Sequence, residues 1–68
     1  MTEYEAAHRI GELLDLENME FHRNPGGGEY WHPQYGRLQV DVENCVDDYF
    51  KLFNWLTKKK RESFACFE

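Results

Sequence analysis

The sequence predicts an α+β domain: a three-stranded antiparallel meander with an N-terminal and a C-terminal helix on one face, in the order α-β-β-β-α. Three observations lead there. Apolar residues recur at helical spacing near both ends of the chain. Two clusters of turn formers, Asn24-Pro25-Gly26-Gly27-Gly28 and Pro33-Gln34-Tyr35-Gly36, cut the middle into three short runs. Those runs are rich in aromatic and β-branched side chains, which suit extended chain. Residues 1–68 form a single domain, near the lower limit for folding without a metal or disulfides. The 11 aromatic side chains offset that short length, since each buries a large apolar area.

Thr2 and Glu5 have the spacing of a capping box, and Ala6, Ala7, Ile10, Leu13 and Leu14 then form one helical stripe. A helix is expected over residues 3–17, with Asn18 as a left-handed stop. Strands are expected at 19–23, 29–32 and 37–42. If the hairpins close around 24–28 and 33–36, Phe21 lies opposite Trp31, and Trp31 opposite Leu38. The core face of the sheet would then hold Met19, Phe21, Trp31, Leu38, Val40 and Val42. The other face would carry Glu20, His22, Tyr30, His32, Arg37, Gln39 and Asp41. Asn44 is suited to cap a second helix, along which Val46, Tyr49, Phe50, Phe53 and Leu56 repeat. Cys45, Leu52 and Trp55 widen that stripe beyond the needs of one sheet face. Lys58-Lys59-Lys60-Arg61 suits a final turn, and Phe64 and Phe67 could return to the core or stay exposed.

Composition narrows the function classes. No apolar run approaches 18 residues and no basic-then-apolar leader is seen, so a membrane span and secretion are not expected, and a cytoplasmic protein is. Residues 1–50 carry eleven acidic side chains against three arginines, a formal −8; residues 51–68 carry a formal +3. Such a body repels nucleic acid and favours a protein partner with a basic surface. Aromatic stacking of bases on Tyr30, Trp31, His32 and Tyr35 would lack the basic groove that accompanies it. The three glycines precede Glu29 and a strand, not the Lys-Ser/Thr of a phosphate loop.

No cofactor or metal is expected. His8, His22, His32, Cys45 and Cys66 lack the paired spacing of zinc ligands. Glu20, His22, Tyr30 and His32 could do acid–base chemistry only in a deep pocket, which a small open sheet rarely supplies, so no enzyme is expected. The expected work is protein binding, with Tyr30, Tyr35 and Trp55 as aromatic anchors and Glu12, Asp15, Asp47 and Asp48 as steering charges. In size, acidity and lack of catalytic apparatus the chain resembles small inhibitors encoded by phages and mobile elements, including anti-CRISPR and other anti-defence proteins. That resemblance implies an inhibitor occupying a basic surface of a nucleic-acid-handling complex. The alternatives are a homodimeric adaptor or regulatory subunit and, less favoured, a small metal-binding protein or enzyme.

Overall fold

The computed structural model describes residues 1–65, which form α1 (Glu3–Glu17), β1 (Glu20–Asn24), β2 (Gly27–His32), β3 (Gly36–Val40) and α2 (Cys45–Ala65). Cys66 and Phe67 lie outside the described residues. The sheet is an antiparallel meander in the order β1-β2-β3. Ile10 of α1 and Leu52 and Leu56 of α2 meet Met19, Tyr30 and Val40 in one core, so both helices cover the same sheet face.

The helix signals act as their chemistry requires. Thr2 Oγ1 accepts from the Glu5 N–H at 3.1 Å, and Asn18 stops α1 at φ 56°, donating to the Leu14 and Asp15 carbonyls. Asn44 Oδ1 accepts from the Val46 N–H at 2.9 Å and opens α2. The second helix runs on to Ala65, so the Lys58–Arg61 run lies inside it and not in its last turn.

The central strand corrects the expected register. Asn24 pairs with Gly27, so the first hairpin turns on Pro25-Gly26 alone. His32 pairs with Gly36, so the second turns on Pro33-Gln34-Tyr35, with Gly36 at φ 92°. Tyr30 therefore faces Phe21 and Leu38, and Trp31 faces Glu20 and Arg37. A one-residue shift at each turn keeps the expected faces of β1 and β3 but turns β2 over. Phe21, expected in the core, is 37% exposed because β1 is an edge strand. Tyr30 and His32 are buried in the core, whereas Trp31 lies on the open face, 37% exposed.

The glycines explain why the turn is so tight. Gly27 and Gly28 are buried strand residues, not a flexible tip. A Cβ on Gly27 would come within 2.2 Å of the Val40 carbonyl oxygen, and one on Gly28 within 2.5 Å of the Phe21 ring. β3 also ends two residues early. Val42 has φ 54°, a left-handed conformation that a β-branched residue adopts only under strain, and it breaks the alternation there.

Candidate functional site

Two polar side chains are buried among the described residues, His32 and Asp48, and they sit at opposite ends of the sandwich. His32 ends β2. Its Nδ1 accepts from the N–H groups of Gln34 and Tyr35 at 3.0 and 3.2 Å, which leaves the ring proton on Nε2. That N–H donates to Glu17 Oε1 at 3.0 Å, and Lys60 Nζ donates to Glu17 Oε2 at 2.8 Å. The Tyr35 ring stacks on the imidazole at 4.1 Å, with Trp55 edge-on at 6.3 Å. The Lys60 ammonium, then the His32 N–H, hold the Glu17 carboxyl below its ordinary range, against a burial that would raise it. Both imidazole nitrogens are engaged within the fold. The constellation ties the end of α1, the β2–β3 turn and the distal half of α2 together.

At the other end, a cavity of about 460 Å³ opens between the end of β3 and the first turns of α2. Asp41, Glu43, Asn44, Asp47, Asp48 and Lys51 line it. Asp48 is only 6% exposed and makes no side-chain hydrogen bond or ion pair among the described residues. Burial pushes its carboxyl above the ordinary range; Lys51 opposes that shift, and Asp41 and Asp47 add to it. Buried Tyr30 is pushed up to about 12, first by desolvation and then by the charges of Asp48 and Cys45.

A second concavity, about 750 Å³, runs along α1 between Tyr4, Glu5, His8, Arg9, Glu12, Leu13 and Leu16 and reaches Tyr49 of α2. Phe50 and Phe53 pack on Tyr49 at 5.6 and 5.9 Å between ring centroids. Leu16 is 76% exposed, Phe50 49% and Phe53 47%. The open sheet face is more polar. There Trp31 stacks on His22 at 3.8 Å, with the Arg37 guanidinium 5.0 Å from its ring. His22 Nε2 is covered and lies 3.5 Å from Glu20 Oε1, without hydrogen-bond geometry.

The expected binding residues are thus divided. Glu12, Asp15 and Asp47 are exposed, while Tyr35 and Trp55 are half-buried around His32. Tyr30 and Asp48 are buried, so Tyr30 cannot be an aromatic anchor and Asp48 is not an open steering charge. The flipped strand carries Tyr30 inward. Among the described residues, no three His, Cys, Asp or Glu side chains converge to hold a metal ion. No described helix is long and apolar enough to cross a membrane.

Neither a family model, nor a curated protein, nor a solved structure matches the chain.

Sequence reasoning missed Leu16, Phe50 and Phe53 as surface groups because they extend the apolar stripes of their helices. The one available signal was the excess width of the second stripe. His32, Glu17 and Lys60 lie 15 and 43 residues apart, and no local pattern joins them.

Proposed function

We propose that the chain acts by binding another protein, as a small acidic inhibitor that covers a basic, nucleic-acid-handling surface. The observation that carries this reading is the unfilled apolar face of α1 and α2. Leu16 lines the groove and Phe50 and Phe53 pack on its Tyr49, and all three are large side chains left partly in solvent. Exposed apolar surface of this kind marks protein contact sites. Glu5 and Glu12 line the groove, and the formal −8 of residues 1–50 favours a basic partner. Apolar anchors would supply affinity, and carboxylates in place of phosphates would supply steering and competition with nucleic acid.

The test is affinity capture with the wild type and with the double variant Leu16→Glu/Phe53→Glu. Leu16→Glu should change stability by less than about 0.5 kcal/mol, while Phe53→Glu also loses its packing on Tyr49, so thermal unfolding of the double variant is checked before capture. The reading expects a captured nucleic-acid-binding protein, lost with the double variant, weakened by salt and displaced by DNA or RNA. A captured protein that binds nucleic acid and this chain simultaneously would defeat the inhibitor reading. A wild type of twice the monomer mass, made monomeric by the double variant, would show instead that the face joins two copies of the chain.

A further inference from the structure

We infer that the acidic corner between β3 and α2 is a receptor pocket for one arginine side chain of the partner, with Asp48 pairing to its guanidinium. This inference rests on the protein-binding reading and adds the chemistry of the group recognised.

The acidic rim alone would be an ordinary solvated surface. What distinguishes the corner is its floor. Asp48 is 6% exposed, lines the cavity, and has no hydrogen-bond or ion-pair partner among the described residues. Its carboxylate oxygens are not enclosed: they open into the solvent of the cavity, and only a partner seated there would cover them. Lys51, one helical turn on, lines the same cavity without ion-pairing to Asp48. The cap residue does not pair with it either: Asn44 Oδ1 accepts from the Val46 and Asp47 N–H groups, and no hydrogen bond joins the Asn44 side chain to Asp48 among the described residues. The fold therefore holds a carboxylate in a pocket and leaves its acceptor sites open.

The form of the pocket selects among cations. About 460 Å³ is far larger than a metal ion needs, and among the described residues no three acidic groups converge on one point. Asp41 follows β3, Glu43 lies in the connection, and Asp47 lies on the first turn of α2, so the acceptors are spread around the opening. A planar guanidinium with five N–H donors suits spread carboxylates better than a compact ammonium, and it can pair with Asp48 bidentately. Gly27 helps to set this geometry. Lacking a Cβ, it lets the first hairpin close against the backbone of Val40 and Asp41.

The test is an amide NMR titration of the full chain with three capped glycine pentapeptides, whose central residue is arginine, lysine or the neutral isostere citrulline. The arginine peptide should shift the amides of residues 41–51 saturably, with roughly millimolar affinity. Lysine should bind more weakly and citrulline not measurably. Asp48→Asn, nearly isosteric, should weaken arginine binding about tenfold or more. The exposed variants Asp41→Asn and Asp47→Asn serve the same purpose if Asp48→Asn folds poorly, and each should weaken binding roughly two- to threefold. Equal binding of arginine and citrulline, or unchanged binding by all three variants, would overturn the pocket. So would calcium chloride shifting the same amides at lower concentration than the peptide. Arginine-selective shifts support the pocket even if the groove variants leave partner capture intact. Their absence removes it even if capture by the groove is confirmed.

Discussion

His32 and Asp48 are buried to a similar degree at the two ends of one sandwich, yet their surroundings are opposite. Every polar atom of the His32 ring has a partner, and the partners come from the β2–β3 turn and from the end of α1. Asp48 has none within the described chain. Burial alone therefore does not identify a functional group. A satisfied buried network fixes a fold, whereas a buried charge left open is costly to the fold and free to act on something else.

The closed end should yield the largest effect. His32→Ala would orphan two N–H groups of the β2–β3 turn and leave Glu17 with Lys60 alone. The expected loss is about 3 kcal/mol, a large share of the roughly 3–10 kcal/mol usual for a chain of this size. Chemical denaturation measures it, and a loss below about 1 kcal/mol would mean that the network is decorative. Glu17→Ala should cost nearly as much, and the two losses should not add, because both remove one bond.

The open end should respond in the opposite sense. Asp48→Asn should leave stability unchanged or raise it by up to about 1 kcal/mol at neutral pH. The α2 dipole favours the charge by only about 0.3–1 kcal/mol, which burial and the neighbouring Asp41 and Asp47 outweigh. Acidification separates the two ends further. The folded value of Asp48 lies above its unfolded one, so its penalty is present at neutral pH and disappears as pH falls through the folded value. The folded value of Glu17 lies below the ordinary 4.5, so its contribution is full above that pH and is lost as pH falls through the folded value. Stability profiles of wild type and Asp48→Asn should therefore converge on acidification, while the Glu17 contribution falls in both alike. Parallel profiles would contradict the assignment of Asp48.

The same contrast explains what could be read from the sequence. The order of elements, the span of α1 and the Asn18 stop follow from local signals: a cap, a stripe and a stop lie within a few residues of one another. The faces of β1 and β3 were also legible, since Phe21, Leu38 and Val40 alternate with polar residues. The face of β2 was not. Tyr30, Trp31 and His32 are all able to occupy either face, so only the turns could decide, and both turns close tighter than their composition suggests, each shifting the pairing by one residue. The two errors cancel between β1 and β3, which made the wrong register of β2 look self-consistent. The buried His32 follows from that strand, because it lies on its inward face. Pairing across 15 and 43 residues, as in the Glu17 network, leaves no periodic trace.

Carboxyl ¹³C titration of Asp48 and Glu17 in one sample tests the contrast most directly. A closed end and an open end predict Glu17 below and Asp48 above their ordinary values, with the arginine peptide lowering Asp48 and leaving Glu17 in place. Asp48 titrating with the exposed aspartates, or both groups moving together when the peptide is added, would contradict it.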